Sequence, residues 1–252
     1  MRRPFSGKIL LIRRKYVAAL ALCVAVATIF YIINHPGLVG TTARERFLPI
    51  YSIERDDTAM SLTFNVREAD CYTAQVAQTL EAYRVRATFF VTGDWVRENR
   101  DLAAHLVESG HELMNLSDDH SLLRKLPAAE IQANVLACSD AIQAATGVRP
   151  GAFRAPYGAY DDKIVALVGA LGMQSVQWSV DSGDWRGLDA AAVARQVQNK
   201  AFPGAIILLH SNLYQTALAM PELITGLMEA GYTLVPVSEL VYGVENTGSL
   251  PG

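Results

Sequence analysis

From Ser61 to Val235 the chain alternates short apolar runs with stretches of helical periodicity, and this alternation narrows the fold more than any other feature of the sequence. Strands are expected at Ser61–Phe64, Ala87–Val91, Glu112–Asn115, Ala152–Arg154, Gln174–Val176, Trp178–Val180, Ala205–Leu209 and Thr233–Val235. Helices are expected between them, at Tyr72–Tyr83, Leu102–Glu108, Ala128–Ala145, Asp161–Ala170, Ala190–Lys200 and Pro221–Ala230. The run at Ala205–Leu209 is apolar at every position, as a strand covered on both faces requires. Strands alternating with helices in one domain imply a parallel α/β fold, and a barrel is favoured over an open sheet. No GxGxxG or GxxxxGK[ST] follows any strand, so nucleotide binding has no support.

Charge divides the chain differently. Arg2, Arg3, Lys8, Arg13, Arg14 and Lys15 precede Tyr16, and the first 35 residues hold no acidic residue. The remaining 16 Lys and Arg face all 25 Asp and Glu. Between the two lies Tyr16–Ile33, an uncharged and mostly apolar run of 18 residues, about 27 Å long as a helix. The basic flank is expected to stay cytoplasmic and the body to lie outside. A cleaved signal peptide is the competing reading, but its apolar core is usually 7–15 residues and ends in small residues. This run is longer and ends Phe30-Tyr31-Ile32-Ile33-Asn34, so an uncleaved, single-pass anchor is expected. The organisation is then a basic tail (1–15), an anchor (16–33), a linker (34–47), one domain (48–243) and a flexible tail (244–252).

With 51% hydrophobic residues and a net charge of −3, the chain is neither disordered nor a bulk-charge nucleic-acid binder. Three cysteines do not make a disulfide scaffold. Cys71 and Cys138 read as buried apolar thiols, with pairing as the open alternative.

In a parallel barrel the chemistry sits at the C-terminal ends of strands. Polar or aromatic residues cluster at five such ends: Asn65; Asn115–His120; Arg154-Ala155-Pro156-Tyr157; Asp181-Ser182-Gly183-Asp184-Trp185; and His210. His210, delivered by a buried strand, is a candidate general acid. His111 reads as structural, and Trp95 and Trp178 as core.

Six segments carry a family resemblance, in order: Ser61–Phe64, Arg86–Gly93, Gly110–Glu112, Phe153–Gly158, Asp181–Trp185 and Leu208–His210. Over Leu48–Tyr242 the chain resembles the polysaccharide deacetylases, carbohydrate esterase family 4, whose domain is called the NodB homology domain. The lead-in Leu48–Ser52 is similar to the sporulation-associated branch. The resemblance implies a deformed (β/α) barrel and removal of acetyl groups from N-acetylated sugars. It further implies a divalent metal, usually zinc, held by one Asp and two His, an Asp as base and a late His as acid.

Residue by residue, the resemblance implies a site kept in one half and lost in the other. Arg154 matches the residue that orients the base, Asp184 the carboxylate behind the acid and His210 the acid. Tyr157, Trp185 and Leu208 match the substrate groove. Asn65 stands at the base position, and an amide cannot take up a proton at neutral pH. Val66 and Leu116 stand at two of the three metal positions, leaving His120 alone. One imidazole does not hold zinc tightly.

The expected function is therefore a membrane-anchored, deacetylase-like protein of the cell envelope, catalytically impaired, with no cofactor, binding a cell-wall glycan or an envelope protein. The alternative is an active metal-dependent hydrolase of non-peptide carbon–nitrogen bonds that removes N-acetyl groups from peptidoglycan or a related polysaccharide. It needs zinc or another divalent metal in a site rebuilt from Glu68, Asp70, Asp118 or Asp119 with His120.

Overall fold

A computed structural model describes residues 14–34, 48–67 and 72–243. The chain forms two compact units, Met1–Glu45 and Arg46–Gly252. Most of the expected basic tail and linker, the C-terminal tail from 244, and Glu68, Asp70 and Cys71 lie outside the described residues.

In the first unit a helix α1 runs Arg14–Asn34. Its 21 residues give a length of about 31 Å. Leu22, Val24, Val26, Phe30 and Tyr31 are exposed on it. Several side chains of the expected anchor lie outside the described ones, and among the described residues no helix is long and apolar enough to cross a membrane.

The second unit begins its regular structure with β1 (Ala59–Val66), α2 (Thr73–Ala82), β2 (Thr88–Val91), α3 (Gly93–Glu98), α4 (Arg100–Glu108) and β3 (Glu112–Asn115). Then come α5 (Ala128–Thr146), β4 (Ala152–Phe153), α6 (Asp162–Ala170), β5 (Gln174–Ser175) and β6 (Val180–Asp181). It ends with α7 (Ala190–Lys200), β7 (Ile206–His210), α8 (Tyr214–Glu229), β8 (Thr233–Leu234) and α9 (Val237–Tyr242). The strands lie in the order β5-β4-β3-β2-β1-β7-β6, and every pairing is parallel. β8 adds to the start of β1 at Ala59 and Met60.

The expected barrel takes the form of a curled half-barrel, since β5 and β6 end the sheet without pairing to each other. The segment before β1 runs along the gap. Ile50 pairs with Val176 and Ser52 with Ala205, and the Ile53 N–H donates to Gly204 O at 3.0 Å. Gly204 has φ +81°, and a Cβ there would lie 1.7 Å from Ile53 O, so only glycine lets this strap lie so close.

Apolar residues fill both faces. Leu62, Phe64, Phe89, Val91, Ile207 and Leu209 pack outward beneath the helices. Phe90, Met114, Leu116, Val176 and Ile206 pack inward, closed below by Val237 and Leu240 of α9. Consecutive residues such as Phe89 and Phe90, or Ile206 and Ile207, therefore serve opposite layers, which is why these strands read as unbroken apolar runs.

Two short helices escape a periodicity reading. α3 is only six residues long, started by Thr92, whose Oγ1 accepts from Trp95 N at 3.2 Å, and α9 is equally short. α8 begins seven residues before Pro221, the expected start. The proline removes one backbone donor, and Ala217, Met220, Leu223, Ile224 and Leu227 hold the helix by burial instead. Cys138 is a free, buried thiol whose Sγ donates to Val91 O at 3.4 Å, and burial pushes its pKa up.

Candidate functional site

Register brings the expected residues to one rim. Asn65, near the end of β1, lies beside His210, the last residue of β7. Asp181 ends β6, with the turn Asp184–Arg186 beyond it. The loops after β3 and β4 supply Ser117–His120 and Arg154–Gly158. Among the described residues Arg84, Ser117, His120 and Tyr157 are the non-glycine residues with positive φ, and three of these four stand on this rim. Such backbone is uncommon for side chains of this size and gathers where a site fixes it.

The acid arm is assembled. Asp184 Oδ1 lies 2.8 Å from His210 Nδ1, and its Oδ2 accepts from the His210 N–H at 2.7 Å and from Thr216 Oγ1 at 2.8 Å. Asp184 is buried and His210 half-buried, so the imidazole is oriented with Nε2 as its free nitrogen. Thr216 was not anticipated. It lies on α8 before Pro221, outside the helices expected from the sequence.

The base arm has a different character. Arg154 has no solvent exposure. Its Nη1 donates to Asn65 Oδ1 at 3.0 Å, its Nη2 to Thr63 Oγ1 at 2.9 Å and Gln177 O at 3.1 Å, and its Nε to Val176 O at 3.4 Å. Its guanidinium carbon lies 3.9 Å from the Phe90 ring centroid. None of these partners carries a negative charge, and burial pushes the guanidinium down to about 9. It remains a cation at neutral pH, solvated by dipoles and one aromatic face.

Two of the three metal positions carry no donor atom. Val66 is fully buried in the layer beneath the helices, Leu116 is fully buried in the inner layer, and His120 stands at the rim. The His120 ring meets Tyr157 edge-on at 4.5 Å, and its Nδ1 is buried without a hydrogen-bond partner. Burial, helped by Arg67 and His210, lowers its pKa to about 4, so it is neutral at pH 7. A neutral imidazole with a spare nitrogen can ligate, but among the described residues no three His, Cys, Asp or Glu gather to hold a metal. Asp118 Oδ1 accepts from Arg97 at 2.8 Å, and Asp119 Oδ1 accepts from Ser121 N at 3.0 Å and Asn134 Nδ2 at 2.9 Å. Both carboxylates serve the loop. The described residues do not fit a divalent metal, and Glu68 and Asp70 lie outside them.

The groove walls are mixed. Tyr157 and Trp185 are well exposed, while Leu208 is buried and offers little surface. Trp185 Nε1 lies 3.3 Å from Asp181 Oδ1, and Arg186 stacks over the indole at 4.7 Å, so one aromatic face is already covered. Trp95 is fully buried, and Trp178 is partly buried against the inner cluster, as expected.

Comparison with known proteins agrees with this geometry. The profile for polysaccharide deacetylases matches residues 52–176. The chain is 32% identical over 211 residues to the peptidoglycan-N-acetylglucosamine deacetylase PgdA of Listeria monocytogenes, covering 81% of this chain but only 44% of PgdA. It is 31% identical over 215 residues to a chitooligosaccharide deacetylase of Bradyrhizobium sp., covering 77% of this chain and 98% of that protein. Among solved structures, BA3943 of Bacillus anthracis, described as a CE4 family pseudoenzyme, superposes with a TM-score of 0.74 at 31% identity, over 78% of this chain and 69% of that one. A mutant of BA3943 described as having restored enzymatic activity superposes with a TM-score of 0.75. Identity above 30% over nearly the whole of a characterised deacetylase, on the same curled parallel sheet, places this chain in the polysaccharide deacetylase family, carbohydrate esterase family 4.

Proposed function

We propose that the protein is a catalytically silent member of this family that binds envelope glycan through the retained groove, held at a membrane by α1. The observation that carries the reading is the hydrogen bond from the buried Arg154 to Asn65 Oδ1, where a base would have to be ionised. Loss of the base removes proton abstraction, and the hydrocarbon side chains of Val66 and Leu116 offer no donor at two metal positions, so water activation by a metal has no support. The description of the similar BA3943 as a pseudoenzyme supports the reading by analogy. The exposed apolar residues of α1 support the anchor. So does Thr28, whose hydroxyl donates to Val24 O at 2.7 Å and needs no water.

The test is acetate release. The full chain, supplied with Zn²⁺ or Co²⁺, is expected to release none from N-acetylglucosamine oligomers or peptidoglycan, and metal-dependent turnover sinks the silent reading. The triple variant Asn65→Asp, Val66→Asp, Leu116→His is expected to gain zinc affinity by calorimetry. The activity recovered in the BA3943 mutant makes a gain of turnover the corresponding expectation here.

A further inference from the structure

We propose that a second cavity, at the end of the sheet opposite the rim, binds a small organic cation: an ammonium group carried on an apolar body. The inference is separate from the glycan-binding reading and uses no residue of the groove.

The rim lies where the strands end, and this cavity lies where they begin. Glu112, Gly151 and Met173 border it at the starts of β3, β4 and β5, and Ser238, Glu239 and Tyr242 of α9 form another side. Its volume is about 520 Å³, within the usual range for small-molecule pockets. Leu113, Met114, Leu136 and Leu171 line it with hydrocarbon, which favours an apolar body in any ligand.

Charge selects the other end of the ligand. Among the described residues the charged side chains lining the cavity are Arg86, Arg149, Glu112 and Glu239. Arg86 forms a two-armed ion pair with Glu239, its Nη2 donating to Oε2 at 2.9 Å and its Nη1 to Oε1. Arg149 donates through Nη1 to Asp140 Oδ1 at 2.9 Å. Each arginine therefore has its own carboxylate, and an anion would have to displace one. Glu112 is different. Its donors are neutral: Thr88 Oγ1 at 2.8 Å and Ser238 N at 3.3 Å on Oε2, and Ser238 Oγ on Oε1. Among the described residues no cation pairs with it. An ionised carboxylate offers about four acceptor positions, so these donors leave one open. Burial pushes the Glu112 pKa up, and Glu239 adds to the rise against the bonds from Ser238 and Thr88. The charge of Glu112 is thus held at a cost that a cation beside it relieves.

A metal ion does not meet this need. No three His, Cys, Asp or Glu gather for one among the described residues, and the apolar walls offer it no oxygen. An ammonium group does. It is a monocation, it donates to the open acceptor position, and the body that carries it fills the apolar walls.

The test titrates the full chain by calorimetry, in a neutral detergent and against detergent blanks, with tryptamine, tryptophol and indoleacetate. The three share one aromatic body and differ in charge. Tryptamine is expected to bind at least tenfold more tightly than tryptophol, and indoleacetate most weakly. Glu112→Gln, of nearly the same volume, is expected to bring tryptamine and tryptophol to about equal affinity. Leu171→Trp, which fills the cavity, is expected to weaken tryptamine at least tenfold. Tryptamine and tryptophol bound equally by the native chain, a preference for indoleacetate, or no binding of any of the three overturns the proposal. So does a preference for tryptamine that persists in folded Glu112→Gln, or tryptamine binding untouched by Leu171→Trp. The native-chain series decides even where neither variant folds.

Discussion

Arg154 is the residue on which the stability and the chemistry of the rim meet. Its burial is complete, and its described neighbours solvate it with dipoles and one aromatic face. Removing one partner of a buried ion pair typically costs about 3–5 kcal/mol, because the other charge is left alone. The converse is expected here. Asn65→Asp returns a counter-ion to a charge already buried, at similar volume, and should stabilise the body by about 2 kcal/mol, a rise in Tm of about 5 °C for a domain of this size. Arg154→Met should also be tolerated better in the native chain than in the Asn65→Asp variant, where it would strand a carboxylate. Thermal melts of the four chains make a double-mutant cycle, and additive effects would contradict a direct charge interaction. Much of this was legible in the sequence. Asn65, Val66 and Leu116 announce the missing base and ligands by their chemistry alone, and Arg154, Asp184 and His210 by their motif. The sequence did not reveal that, among the described residues, Arg154 is paired with no carboxylate, because its acceptors include the carbonyls of Val176 and Gln177, which side-chain identity cannot report. Nor did it show that Asp118 and Asp119 are consumed by Arg97, Ser121 and Asn134.

At the scale of elements, the joint between β2 and β3 carries a titratable group that has no part in the groove. His111 stands one residue before β3, is buried, and accepts the Ala87 N–H through Nδ1 at 3.2 Å, while its ring meets Phe89 edge-on at 5.4 Å. Only the neutral ring can accept that bond. Burial lowers its pKa to about 4, with Glu81 opposing and His105 and Arg86 adding to the depression. The unfolded chain takes up this proton near pH 6.5 and the folded chain only near 4, so between these values the unfolded state binds more protons. Stability is therefore complete above about pH 6.5 and falls as the pH drops towards 4, by up to about 3 kcal/mol from this residue. His120 acts in the same direction, so the informative quantity is a difference. Urea midpoints between pH 4 and 7 should slope less for His111→Asn than for the native chain, and parallel slopes would remove His111 from the account. The elements themselves were largely foreseen, because each long strand is covered on both faces and each long helix on one. The misses, α3, α9 and the first half of α8, are segments where a six-residue length or an internal proline defeats periodicity and packing decides.

For the molecule as a whole, the open question is where the body is held, and the sequence argues it through asymmetry. Six basic residues precede an uncharged run that a helix of about 31 Å spans, and the acidic body follows. A soluble chain has no evident reason to expose Leu22, Val24, Val26, Phe30 and Tyr31 along one helix, since each apolar side chain left in water forgoes roughly 1.5–3 kcal/mol of burial. On the proposed anchoring, a bilayer would supply that burial, and a groove held close to the envelope would meet long polymeric glycan at high local concentration even where each contact is weak. The full chain is accordingly expected to remain with membranes through carbonate and high-salt washes and to be released by detergent. Placing charges in the run, as in Val24→Lys with Val26→Asp, costs about 2.5–3.5 kcal/mol per residue at the centre of a membrane span and should shift the chain to the soluble fraction. Protease added to intact spheroplasts should degrade the body while the basic N-terminus stays protected, because Lys and Arg resist translocation. A native chain recovered in the soluble fraction after the washes would contradict the anchor, and a protected body with an accessible N-terminus would reverse its orientation.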